Sequence, residues 1–340
     1  MGFSPSADGA PGTGFARRNR IDIRGSLLSE TVREFPLLVK LRSPDFDGNG
    51  VQPDGADIRV YAADQITELP YEIEHISATG ADIWVRVLEI ASGTDEMLWV
   101  AYGDPSAPAG QRADQVWATT EYTAVWHLVD GHDSTANHLD GTFSGTVVTT
   151  GIAGLARDLQ LGWLEVGDTP ALAMIGASGQ TTWSAWARPQ TFPSGTSGLI
   201  DRRTEATSLD DFRFGPTSLG DMNGQINVDP GQRNLAFGGG NFTFGVWHLF
   251  AMTYDGSDLR ASIDGTMVAS AIGSGSVHAS ANSVWLGGGC NGCAGQPNDD
   301  RMDGVLDEVR IESVIRSDGW LAAEYLNLTG LLVTVHPFEE

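Results

Sequence analysis

Short runs in which apolar and polar residues alternate, each stopped by Gly, Asp, Asn or Pro, recur along almost the whole 340-residue chain. A period of two puts one face of a strand in a core and the other in water, and a helix has no use for it. "RNRIDIRG", "FPLLVKLRS", "ADIRVYAA", "LPYEIEHI", "ADIWVRVLEI" and "EMLWVAYG" form a first series; "TAVWHLVDG", "TTWSAWARP", "WHLFAMTYDG", "LRASIDGTMVAS", "NSVWLGG" and "GVLDEVRIE" form a second. The Val, Ile, Tyr and Trp in these runs suit a pleated, half-buried surface. Between the series, "GDPSAPAGQRADQ" at residues 103–115 reads as a linker. The expectation is an all-β chain of two β-sandwich domains, at 16–112 and 116–332, after a Gly/Ser/Pro/Ala-rich segment 1–15 expected to be disordered. Asp-Gly in "YDGSDL" and "SIDGTM" marks two hairpin turns. One short C-terminal helix is expected in "RSDGWLAAEYLNL", with Ser317 as N-cap and Leu321, Tyr325 and Leu328 on one face.

The formal net charge is −24. Nucleic acid and anionic membranes need clustered positive charge, so neither is expected as a partner. Divalent cations and neutral polymers such as sugars remain compatible. No run approaches the ~20 apolar residues of a membrane span, so no membrane insertion is expected within this segment. "MGFSPSADGAPGTGFARR" lacks an apolar h-region, so a mature N-terminus or a boundary within a longer chain is expected. Cys290 and Cys293 lie in the Gly-rich "GGCNGCAG". A lone CxxC is weak for zinc and lacks the strand-to-helix setting of a redox motif. A small loop-closing disulfide between them is expected, with free thiols the alternative; a disulfide would favour an extracytoplasmic home.

Three blocks carry a resemblance: "VWHLVDGHDSTANHLDGTF", "WHLFAMTYDGSDLRASIDG" and "MDGVLDEVRIESVIRSDGWLAAEYLN". Together they resemble a bacterial laminin-G-like (concanavalin A-like, pentraxin-type) jelly-roll module. The first half, "FPLLVKL…DGADIRVY…ELPYEIE…WVRV…YGDPSA", is similar to a bacterial domain of unknown function often found before such modules. That domain also occurs fused to proton-channel proteins of the TolQ/ExbB type, which implies an extracytoplasmic location, whether secreted, periplasmic or on the cell surface.

The resemblance makes neighbours of the first and last strands of the jelly roll. It implies a structural calcium ion held by the carboxylates of Asp133 and Asp307, with Asn137 and the loop carbonyls near His138 and Asp140 completing the shell. Calcium takes six to eight oxygens of these kinds. The other reading is that Asp133 caps a turn and Asp307 accepts from loop amides, with no metal. Strand alternation would send Glu308 to the face opposite Asp307, with Arg310 as its partner.

Ligand contacts are expected on loops, at Trp163 and at Asn291, Gln296, Asn298, Asp299 and Asp300 of "CNGCAGQPNDDR". Trp126, Trp183, Trp186, Trp247 and Trp285 follow strand patterns and read as core. Glu68, Glu72 and Glu74 around "YEIEH" could pair for glycoside hydrolysis, but solvent-facing alternation gives the same string. No Glu-x-Asp-x-Glu of the jelly-roll glucanases, serine elbow, Walker loop or dinucleotide fingerprint is present. The expectation is a noncatalytic binding or adhesion protein that recognises glycan or a cell-surface protein. The rivals are a self-assembling structural subunit of a filament or envelope complex and, third, a glycoside hydrolase or lyase.

Overall fold

A computed structural model of the chain describes residues 14–172, 175, 179–191, 198–203, 210–216, 222–229, 231–236, 242–277, 282–289 and 301–340. The chain divides into two compact units, one reaching Val116 and including Leu326–Glu340, the other Trp117–Tyr325. The return of the C-terminus to the first unit departs from the 116–332 span expected from sequence. Its cause is strand pairing: Val333–Val335 adds to Arg17–Ile23, with Ile21 opposite Val335.

In the first unit a four-stranded sheet runs Val333–Val335, Arg17–Ile23, Glu96–Tyr102, Arg59–Ala62, and a three-stranded sheet runs Val32–Arg42, Gly80–Ile90, Tyr71–Ser77. Alternation works as the pattern predicts, since Ile21 and Ile23 are buried while Arg20 and Asp22 are only partly so. Asn327 replaces a strand at the edge of Val32–Arg42. Its amide accepts from the Leu38 N–H at 2.7 Å and donates to the Leu38 carbonyl at 3.0 Å.

The second unit is a larger sandwich. One sheet orders Thr266–Ile272, Asp258–Ile263, His248–Tyr254, Thr181–Thr191, Asp303–Glu312, Leu155–Asp158, Val147–Thr150, with Tyr122–Trp126 also pairing Asp303–Glu312. The other orders Gln232–Ala236, Met222–Asp229, Asp210–Pro216, Ile200–Arg203, Val284–Leu286, Trp163–Val166, Gly141–Ser144, with Ser276–Val277 on Met222–Asp229. The inward faces form one core that includes Trp126, Trp183, Phe212, Phe250, Leu306 and Ile311. Trp183 of one sheet stacks on Phe212 of the other, centroids 4.6 Å apart. The fold class is therefore the expected one, all-β with sandwiched sheets.

Both Asp-Gly hairpins form. Asp264 and Gly265 have φ of 54° and 72°, the two positive values that a primed turn requires. Gly265 also lies against the helix Asp318–Leu328, where a Cβ would come within 2.4 Å of the Ala322 Cα. That helix starts as its sequence predicts, with the Ser317 hydroxyl accepting from the Trp320 N–H at 3.1 Å. No helix among the described residues is long and apolar enough to cross a membrane.

Candidate functional site

The carboxylates singled out from the sequence serve two separate hydrogen-bond sets. Asp133 is fully buried; Oδ1 accepts from the N–H groups of Val125 and Thr135, and Oδ2 from the Thr135 hydroxyl and the Leu139 N–H, all within 3.0 Å. Burial pushes its carboxyl up, and these bonds pull the other way. Asn137 turns its amide to the Thr123 carbonyl, His138 sits at a positive φ of 51°, and Asp140 accepts from the Asp133 N–H. These hydrogen bonds fold the loop around the Asp133 carboxylate. Asp307 accepts from the amides of Ile152 and Ala153 on another loop. The donors seen on the two carboxylates differ, and this arrangement fits a pair of loop caps better than a shared calcium shell. Melting in EDTA and in millimolar calcium is therefore expected to give the same Tm. Asp133→Asn should cost about 2 kcal/mol in either buffer, because an NH2 group then faces buried donors. A rise confined to calcium and lost in Asp133→Asn would restore the ligand role.

Asp307 and Glu308 do not alternate as expected. Opposite them Ser184 pairs with Arg310 and Trp186 with Asp307, so Asp303–Glu312 carries an extra residue, and Glu308 has φ 47°. This bulge sets two acidic residues between the core positions Leu306 and Val309, and neither carboxylate enters the apolar core. Glu308 does meet Arg310, at 2.9 Å, and its other oxygen lies 2.6 Å from His127 Nδ1. Arg310 also reaches Glu324 of the helix at 3.0 Å and lies over the Trp117 ring. Next to this group, Arg316 bridges Glu312 and Glu121 and lies over Trp320. Glu308, Arg310, Glu312 and Glu324 are buried, and the network reaches the surface at Glu121.

A second set of polar and aromatic side chains lies on the outward side of the other sheet. On the second sheet Leu164, Leu286, Ile200, Phe212, Phe214 and Ile226 belong to the core, so their strand neighbours point outward. Following cross-strand partners gives one continuous row: Thr142, Glu165, Trp285, Asp201, Arg213, Gln225, Asn234. Six interstrand steps make it about 29 Å long. Its ends are exposed, Glu165 and Arg213 are half-buried, and Asp201, Trp285 and Gln225 are buried. On Met222–Asp229 the outward stripe includes three amides, Asn223, Gln225 and Asn227. The Ser283 hydroxyl donates to Glu165 at 3.1 Å.

Trp163 belongs to this face, although not to a loop as expected. It opens the strand Trp163–Val166, pairs with Trp285 at 6.3 Å, and carries the Arg301 guanidinium over its ring at 5.1 Å. Trp285, expected in the core, stands apart from it with Trp163. Trp186 is also outside the core cluster, stacked on Tyr325 of the helix. Cys290, Asn291, Cys293, Gln296, Asn298, Asp299 and Asp300 lie outside the described residues. Of the acidic residues near "YEIEH", Glu74 accepts from the Trp84 indole at 2.8 Å and Glu68 pairs with Arg112. The signal that would have found the amide stripe is the alternation in "MNGQINVD", blunted because Gly224 fills one inward position.

Among solved structures, domain 4 of the extracellular GH43 arabinanase AbnA from Geobacillus stearothermophilus, in complex with arabinotriose, is similar. It is 18% identical over 59% of this chain and 97% of that one, with a TM-score of 0.45. The receptor-binding domain of botulinum neurotoxin mosaic serotype C/D is 11% identical, covering 61% of this chain and 51% of its own, with a TM-score of 0.47. The binding domain of Paraclostridial Mosquitocidal Protein 1 is 10% identical, with coverages of 60% and 52% and a TM-score of 0.45. This chain spans about half the length of those two toxin domains. Comparison with curated proteins finds no match. By family, the chain carries a laminin-G-type domain of the concanavalin A-like lectin/glucanases superfamily over residues 162–322, preceded over residues 54–140 by a domain of unknown function (DUF2341).

Proposed function

We propose that the chain is a noncatalytic, extracytoplasmic glycan-binding protein, and that its second unit takes carbohydrate on the outward face of the sheet carrying Glu165, through side chains that reach the surface there, Arg213, Asn223 and Asn234 among them. The supporting observation is a row of polar, charged and aromatic side chains across seven strands that reaches the surface at Thr142, Glu165, Arg213 and Asn234, with Asn223 beside it. Sugar hydroxyls both donate and accept, and an Asn or Gln amide answers both needs while carrying no charge. Binding rather than hydrolysis is favoured by Trp285. It stands in the row between Glu165 and Asp201, where an opposed carboxylate pair would have to hold the scissile bond and its water.

The test is retention of the full chain on immobilised glycans, comparing wild type with Asn223→Ala and Asn234→Ala. Each substitution should weaken binding about tenfold, the equivalent of one or two hydrogen bonds, while the melting curve stays unchanged. Equal retention of wild type and both variants, or retention of none on any glycan, would overturn the proposal.

A further inference from the structure

We infer that the second unit pairs with a second copy of this chain along the open side of its sandwich, edge to edge through the strand Val147–Thr150. The inference is independent of the glycan reading and would outlast its failure.

Both sheets of the unit end on this side. Val147–Thr150 is the last strand of one sheet and Gly141–Ser144 the last of the other, and among the described residues neither has a strand beyond it. At the opposite side Gln232–Ala236 packs against Thr266–Ile272. Exposed edges are ordinarily blunted by charge, proline or a bulge. Residues 141–156 contain no charged residue and no proline. The pairing of Val147–Thr150 with Leu155–Asp158 runs without a bulge. Val-Val-Thr-Thr is β-branched throughout, and Val147 and Val148, on opposite faces, are 50% and 44% exposed.

The edge is also held in shape. The Gly151 N–H donates to the Gly154 carbonyl and closes the turn after the strand, and buried Asp307 accepts from the Ile152 and Ala153 amides of that turn at 2.8 and 3.2 Å. Ladder bonds alternate from there. Val147 and Thr149 therefore commit their backbone groups to the neighbouring strand, and Val148 and Thr150 point theirs outward. At the corner between the two edges, Gly162 lies against Ser144 and Gly145, and the preceding Leu161 is 43% exposed at a φ of 66°. A leucine both exposed and left-handed contributes little to a single copy, and strain of this kind collects at functional sites.

Two arguments identify the occupant as a second copy. An antiparallel edge is complementary to itself about a two-fold axis. With the axis at Thr149, Val148 of each copy meets Thr150 of the other, and their outward N–H and C=O groups pair. The second argument is charge. Two chains of formal −24 repel over most of their surfaces, and the uncharged run lets them approach with least opposition. The charges in the adjoining strand, Arg157 and Asp158, are of opposite sign, and Arg157 donates to the Leu128 and Val129 carbonyls. Four residues a side bury well below the ~1,200 Å² of a stable interface, so a weak, reversible pair with a Kd of about 10–500 µM is expected. Pairing doubles every ligand contact and raises avidity for a clustered ligand.

The experiment is sedimentation velocity of the full chain from about 5 µM to about 1 mM, in about 20 and about 500 mM salt, with Val148→Lys, Thr149→Cys and Val147→Cys alongside. The dimer fraction should rise with concentration and with salt. Val148→Lys should associate at least tenfold more weakly with an unchanged melting curve. Under mild oxidation Thr149→Cys should form covalent dimers above the wild-type level and Val147→Cys should not. Facing Thr149 Cα atoms would lie about 4.5 Å apart, within disulfide reach, and the two Val147 more than about 13 Å apart. A monomer under every condition would overturn the inference and leave the edge to a strand of another protein. A dimer that persists in Val148→Lys, without a Thr149→Cys cross-link, would put the contact elsewhere and overturn it equally. Should Val148→Lys fail to fold, the cysteine pair decides alone: cross-linking at 149 and not at 147 supports the pairing, and any other pattern overturns it.

Discussion

Replacing Arg310 with Met is expected to lower the unfolding free energy by about 3–5 kcal/mol, read as a shift of the urea midpoint at constant m-value. Arg310 is fully buried and holds Glu308 at 2.9 Å and Glu324 at 3.0 Å, with Trp117 against its guanidinium face. Methionine fills similar space without the charge and leaves two carboxylates facing each other in an enclosed site. The loss is bounded because Glu308 keeps His127 on its other oxygen and Glu324 takes a proton readily. The double variant Arg310→Met with Glu324→Leu should recover part of the cost, since it removes the stranded partner together with the cation. A single-variant cost below about 1 kcal/mol would mean that the ion pairs add nothing net and that packing alone seats the helix.

These groups also show how far a sequence can be read. Alternation in "ADIWVRVLEI" and "TTWSAWARP" names strands because a period of two is a local property, and Asp264-Gly265 names its turn for the same reason. The bulge at Glu308 escapes such reading. It arises from the pairing of Asp303–Glu312 with Ser184 and Trp186, more than a hundred residues away in the chain. The row on the outward face is equally non-local, since Thr142, Arg213 and Trp285 become neighbours only through the order of strands. Asp133 is an intermediate case. An Asp/Asn/Gly-rich loop satisfies amides and cations with the same oxygens, so its chemistry follows only once the Val125 and Leu139 N–H groups are seen to occupy them. The C-terminal return of Val333–Val335 had no local signal, because a three-residue strand is too short to show a period.

Stability should fall as pH rises from about 5 to about 8, and Glu324→Gln should abolish about 3 kcal/mol of that fall. Burial pushes the Glu324 carboxyl up from its ordinary 4.5 to about 7, with Arg310 pulling the other way. The neighbouring carboxylates of Glu312 and Glu308 add to the effect of burial. Arg310 and Arg316 are shared among Glu308, Glu312, Glu121 and Glu324, and Glu312 is likewise pushed up by burial. Below pH 4.5 Glu324 is protonated in both the folded and the unfolded chain, and its contribution is fully present. Between pH 4.5 and about 7 the unfolded chain releases the proton while the folded chain keeps it, so each unit of pH costs about 1.4 kcal/mol. Above about 7 both forms are ionised and the loss is complete. Glutamine keeps a carbonyl for Arg310 and carries no titrating proton, so the variant should match wild type near pH 5 and exceed it near pH 8. The measurement is the difference in urea-derived unfolding free energy between the two proteins across that range, which cancels every group they share. A difference that stays flat with pH would show that Glu324 is ionised throughout, with Arg310 outweighing burial.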